Sequence, residues 1–121
     1  MRSKSADQRL GEARARLTRL KAAEAHSAFE AGAVLVDTRS SDEAREQGAI
    51  PGARRHALSV VLWRLDELPR DTRVILICRH GYSSSLAAAQ LQELGFRDAT
   101  DVIDGVEGWL AAGLPVDPWP G

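Results

Sequence analysis

The chain has 121 residues, a length suited to one domain around one core. Hydrophobic residues make up 44% and charged residues 27%, which is the balance of a globular protein. The net charge of −1 gives no general reason to expect nucleic acid or an acidic surface as partner, and the single cysteine excludes an internal disulfide.

Residues 1–15 read as a basic N-terminal leader and residues 16–121 as the folded domain. Over residues 1–21, seven Lys/Arg stand against two Asp/Glu, so an acidic partner is conceivable there. A solvated, partly frayed segment is the simpler expectation. The leader lacks the apolar centre of a secretory signal, and no apolar stretch approaches a membrane span. A cytoplasmic location without membrane association is therefore expected. "ARLTRL" reads as a short strand or the end of a leader helix. "KAAEAHSAFEAG" places Ala22, Ala25, Ala28 and Phe29 at helical spacing, with Gly32 at the end. "AVLVDTR" is a buried strand that ends in charge. "SSDEAREQG" predicts a capped short helix, "IPGARRHAL" a turn and short strand, and "SVVLWRLDELP" another short helix. "RVILIC" is the strongest buried strand, and "SSLAAAQLQELG" the strongest helix. "ATDVID" predicts one more strand and "GVEGWLAAGLP" a last helix before the tail "VDPWPG".

Strands alternating with helices at this spacing argue an α/β domain with a mainly parallel sheet. Ligands of such sheets sit beyond the carboxyl ends of strands. Two segments have that position, "DTR" after "AVLV" and "CRHGYSSS" after "VILI".

The second holds Cys78, the only thiol. A lone cysteine is most often a small buried hydrophobe. Here it ends a core strand shortly before a helix, where loop amides and the positive helix end can converge on an anion. A thiol at that centre is expected to be more acidic than a free cysteine, and its thiolate is a nucleophile. Arg79 adds positive charge, and Gly81 permits a turn that a Cβ would hinder. Among Ser83, Ser84 and Ser85, one is expected to cap the helix, and at least one can reach a sulfur or oxygen in the loop. His80 is either an acid–base group or simply exposed, and Tyr82 either a rim residue or a surface residue. Phosphoryl transfer and sulfur transfer both fit such a loop. His26, His56 and His80 are scattered and no CxxC pair exists, so no metal site is expected.

Four landmarks resemble the rhodanese family, particularly its single-domain members: "LVDTR", "GAIPGA", "ILICRHGYSS" and "VIDGVEGWLAAGLPV". The resemblance spans roughly residues 16–116. It implies a three-layer domain with a mainly parallel five-stranded sheet flanked by helices. It implies that Cys78 carries a persulfide, that the backbone from Arg79 to Ser83 forms the anion cradle, and that Ser84 belongs to the substrate-binding loop. Asp37 and Arg39 match the family's Asp and Arg and are expected to organise charge beneath the loop, or to brace the sheet end. Ala49 stands where the family usually has His, and Asp104 where the first Gly of the closing pair is common. Many family loops have Arg at the position of Ser83, while others carry Ser or Thr. Cysteine phosphatases generally need a loop Arg to grip phosphate bidentately, which neither Ser83 nor Ser84 can replace, and the related phosphatases of this fold use a loop one residue longer. Phosphatase chemistry is therefore not expected.

The resemblance thus implies a sulfurtransferase that takes sulfane sulfur from thiosulfate or another small anionic donor and needs no cofactor. It implies cyanide as acceptor in vitro, and a thiol or sulfur-carrier protein as an alternative acceptor. In a relay of that kind the leader, Arg54 and Arg55 are docking candidates. A non-enzymatic binding module is the remaining alternative. Trp109 is expected in the core, Trp63 packed or lining the site, and Trp119 folded back or exposed.

Overall fold

The computed structural model describes residues 3–120; Met1 and Arg2 of the expected leader and Gly121 of the tail lie outside them. "VILI" forms β3 (Val74–Ile77), with all four residues buried. β1 (Val34–Asp37) pairs with it in parallel, Val34 opposite Val74 and Asp37 opposite Ile77. β2 (Arg54–Arg55) and β4 (Thr100–Asp101) flank this pair, both parallel, in the order β2-β1-β3-β4.

Side chains of a strand alternate between faces, and this alternation builds two cores. Leu35, Ile75 and Ile77 face Ala25, Val106 and Trp109. These come from α2 (Ala22–Glu30) and α6 (Gly105–Ala111). Val36, Val74 and Leu76 face Leu65, Ala88, Leu91 and Phe96 on the other side. α4 (Val61–Leu65) and α5 (Ser83–Glu93) supply most of that layer. A 3-10 turn at Leu58–Val60 leads into α4, and α3 (Ser41–Gln47) follows β1. The architecture is the expected three-layer α/β sandwich.

The sheet has four strands among the described residues, not five. The segment "ARLTRL" contributes a single parallel bridge, Leu20 to Val102. Leu20 N–H donates to Asp101 O and Ile103 N–H to Leu20 O, and the chain turns into α2 two residues later. A strand cannot extend there because helix begins at once.

The described part of the basic leader is helical, not a frayed tail. Residues Ala6–Ala15 form α1, started by a reciprocal capping box between Ser5 and Gln8. Ala13 is buried, and Arg16 reaches Glu93 of α5 at 2.9 Å.

Candidate active site

The carboxyl ends of β1 and β3 lie side by side, and both candidate segments leave from them. Together they form one cleft of about 460 Å³. Cys78, Arg79, His80, Tyr82 and Ser83 line it from one side, Thr38, Arg39, Ser40 and Glu43 from the other. Ala57 and Leu58 close the third wall. Gly81, Ser84 and Asp37 do not line the cleft; they support residues that do.

Cys78 lies at the cleft floor with 6% of its surface exposed. Its sulfur accepts the Gly81 N–H at 3.1 Å and lies 3.2 Å from the Ser84 hydroxyl. The loop bends back on the sulfur because Gly81 takes a φ of +85°, a conformation that side chains disfavour. None of the three serines caps α5 through its side chain; the N-cap is Tyr82, which makes no side-chain cap bond. Ser84 and Ser85 are fully buried and turn inward, where each donates to Asp101 Oδ2, at 2.8 and 2.7 Å. The first turn of α5 therefore keeps the Ser83 and Ser84 amides uncapped, while the Ser85 N–H donates to Tyr82 O at 3.1 Å.

The charged residues divide by depth. Asp37 and Arg39 are buried and bonded to each other, with Nη2 to Oδ2 at 2.7 Å. Arg39 Nη2 also donates to Gly48 O at 2.8 Å, and Arg55 adds a second cation to Asp37 at 3.0 Å. The geometry is that of a brace tying β1, β2 and α3 at the sheet end. Arg55 is therefore engaged, and its guanidinium also stacks 4.6 Å from the Trp119 ring, which folds the tail back. Arg54 remains exposed.

Arg79 sits at the surface, bonded to Glu46 at 2.8 Å, and this bond holds its guanidinium pKa above the ordinary value. His80 is exposed and meets Glu107 at 2.8 Å. Tyr82 is a rim residue, 61% exposed. Of the tryptophans, Trp109 is core and donates to Pro115 O, whereas Trp63 is 72% exposed. Among the described residues no cluster of three or more His, Cys, Asp or Glu is placed to hold a metal ion.

The two departures from the family pattern have structural explanations. Asp104 adopts a φ of +62°, which accounts for the usual glycine there; Asp is among the few other residues that tolerate it. Ala49 pairs with Asp117 through two backbone bonds, which any residue can make.

Sequence reading missed Asp101, Arg14 and Arg19, and it offered Ser85 only as a cap or loop hydroxyl, not as a partner of a buried carboxylate. Asp101 is fully buried beneath the loop, and Arg19 Nε bonds it at 2.8 Å. Arg14 and Arg19 both donate to Gly81 O, at 2.8 and 3.1 Å. The one signal was an acidic residue inside the apolar strand segment "ATDVID", which predicts a buried partner without naming it.

Comparison with known proteins shows which family has this sequence and fold. A sulfurtransferase of Allochromatium vinosum is 34% identical over 83 residues, which cover 69% of this chain and 77% of that protein. The thiosulfate sulfurtransferase GlpE of Haemophilus influenzae is 36% identical over 87 residues, covering 71% and 81%. A rhodanese-related protein of Thermoplasma volcanium superposes with a TM-score of 0.72 at 26% identity, over 84% of this chain and 98% of that one. A Rhodopseudomonas palustris protein, named a possible tyrosine phosphatase, gives a TM-score of 0.85 over 97% of both chains. At 24% identity that likeness speaks for the fold alone. The family model of the rhodanese-like domain matches residues 21–112, and with it this chain belongs to the rhodanese family.

Proposed function

We propose that the protein is a sulfurtransferase that moves sulfane sulfur from thiosulfate, or a similar small anionic donor, to a thiophilic acceptor through a persulfide on Cys78. The observation that carries this reading is the sole thiol at the floor of an open cleft, with a backbone amide already donating to its sulfur at 3.1 Å. Relatives at 34% and 36% identity named for sulfur transfer and thiosulfate support it.

In the first step the Cys78 thiolate, its proton gone to solvent, attacks the outer sulfur of thiosulfate. The new S–S bond forms as the donor's S–S bond breaks, and sulfite leaves with the electron pair. The Gly81 amide and the uncapped Ser83 and Ser84 amides at the start of α5 favour the negative persulfide sulfur. In the second step an acceptor, cyanide in vitro or a cellular thiol, attacks that outer sulfur and returns Cys78 as thiolate. The exposed aromatic and apolar rim of Tyr82 and Leu58 leaves the cleft open to a larger thiol or a carrier protein. The loop contains no Arg at Ser83 or Ser84 with which to grip a phosphate bidentately, which argues against phosphoryl transfer.

Intact-mass measurement tests the cycle. Thiosulfate is expected to add about 32 Da, one sulfur, lost again with cyanide and never gained by Cys78→Ala. No gain with thiosulfate refutes it as donor; no gain with any sulfane donor refutes the persulfide cycle.

A further inference from the structure

The N-terminal segment that precedes the matched family domain reaches directly under the reactive loop. Arg14 Nη2 and Arg19 Nη2 hold Gly81 O, and Arg14 Nε donates to Ser85 Oγ at 3.2 Å. Arg19 forms a two-pronged contact with Asp101, Nε to Oδ1 at 2.8 Å and Nη2 to Oδ2 at 3.2 Å. The Asp101 side chain is fully buried and that of Arg19 is 15% exposed. A buried carboxylate is costly unless paired and hydrogen-bonded, so this pair is expensive for a purely structural prop.

A count of protons gives it a role. A serine hydroxyl has one proton to donate. Ser85 Oγ stands 3.2 Å from Gly81 O and 2.7 Å from Asp101 Oδ2, and because Gly81 O already holds two guanidinium groups, the Ser85 proton goes to the shorter contact with Asp101. Ser84 does the same at 2.8 Å, which leaves its oxygen lone pairs toward the Cys78 S–H at 3.2 Å. When the sulfur becomes negative, Ser84 can turn its proton to Sγ, because Ser85 and Arg19 keep Asp101 satisfied. The two bonds of 3.2 and 2.8 Å set an upper limit of about 6 Å between Sγ and Oδ2, a range over which a charge shifts its neighbour's ionisation.

We propose that Asp101 and Arg19 form a buried charge pair that positions the Ser84 hydroxyl against Cys78 and sets how readily the thiol ionises, making the N-terminal segment a working part of the reactive loop. The proposal rests on Cys78 being the reactive group. Asp101 and Arg19 are positioning residues, not catalytic ones. The other charged or titratable groups facing the site are Arg39 and Glu43 across the cleft, Arg79, His80 and Tyr82 in the loop, Glu107 of α6 behind His80, and Arg14. All stay unchanged in the test below.

Because the chain has one cysteine, mass-resolved iodoacetamide alkylation against pH reads Cys78 alone. Asp101→Asn leaves the Arg19 cation unopposed and is expected to move the alkylation midpoint down by about one pH unit, a tenfold change in thiolate fraction. Arg19→Gln leaves the carboxylate unopposed and moves it up by a similar amount. Arg19→Lys keeps the charge and stays near wild type, and the double variant Asp101→Asn/Arg19→Gln returns toward wild type. Simple loosening of the loop would move both single variants in one direction. If Arg19→Gln does not fold, Asp101→Asn, Arg19→Lys and the double variant still decide. Shifts of the same sign, or none, overturn the proposal. Persulfide loading is scored separately on the same samples. Opposed alkylation shifts without loading would refute the sulfur-transfer reading alone, and loading without opposed shifts would refute only the charge pair.

Discussion

Replacing Gly105 with alanine is expected to separate the cost of crowding from the cost of backbone conformation. Gly105 has a φ of +56° and packs against the reactive loop from behind. A Cβ there would lie 2.7 Å from Arg79 O and closer still to Cys78 O. Both are backbone atoms and cannot rotate away. The same two carbonyls accept the Val106 N–H at 2.8 Å and the Glu107 N–H at 3.2 Å, so relief of the clash pulls α6 off the loop. A non-glycine residue in left-handed conformation costs about 1–2 kcal/mol. Two strained or lost hydrogen bonds add about 0.5–1.5 kcal/mol each, for a total of about 2–5 kcal/mol. Gly113 supplies the control. Its φ is +71°, yet nothing lies within 4 Å of the position a Cβ would take, so Gly113→Ala carries only the conformational part. With an m-value of about 1.5 kcal/mol/M, Gly113→Ala lowers the urea midpoint by about 1 M and Gly105→Ala by about 1.5–3 M. Persulfide loading should fall in Gly105→Ala and remain in Gly113→Ala. Equal midpoint losses in the two variants would refute the reasoning, since crowding against the loop carbonyls would then cost nothing.

Asp37→Asn removes the carboxylate charge that two arginines share, while the Arg39 side chain stays fully buried. The expected loss is about 3–5 kcal/mol, read as a lower urea midpoint at unchanged m-value, and a loss below about 1 kcal/mol would contradict the brace. Burial pushes the His56 imidazole below its ordinary value of 6.5, and the charges of Arg54 and Arg64 add to the effect. The unfolded chain then binds the proton more readily than the folded one, so stability is complete above pH 6.5 and declines as pH falls through the folded-state value. His56→Gln should flatten the melting temperature against pH in that acidic window; an unchanged slope would show that other groups set it.

Much of the frame was legible because local patterns and tertiary demands agree. The four-residue run of β3 is apolar throughout, as a strand covered on both faces must be, and the polar loop after it, with Gly81 and three serines, announces a turn at a strand end. The family landmarks carried the rest of the order. What stayed hidden depends on partners far away in the chain. Arg19 and Asp101 are separated by 82 positions, and nothing near either one names the other. The serines after Tyr82 look like caps because caps are local; Ser84 and Ser85 turn inward because a buried carboxylate waits there. Arg55 looked free for docking, yet Asp37, a neighbour only across the sheet, engages it. The fifth strand failed for a local reason, since helix α2 starts immediately after Leu20.

The brevity of the sheet's outer members bears on how copies of this chain meet at high concentration. An exposed strand edge is a template on which another chain can add hydrogen bonds and seed aggregation. Here one border is the two-residue β2, with charged Arg54 exposed on it, and the other is a single bridge at Leu20. The four-residue β1 and β3, which carry the sheet's apolar side chains, have a neighbour on each side and are covered on both faces. A neighbour docking edge to edge would find only two residues on one border and one on the other before the chain turns away. The missing strand therefore shortens the very surface from which fibrous growth would start.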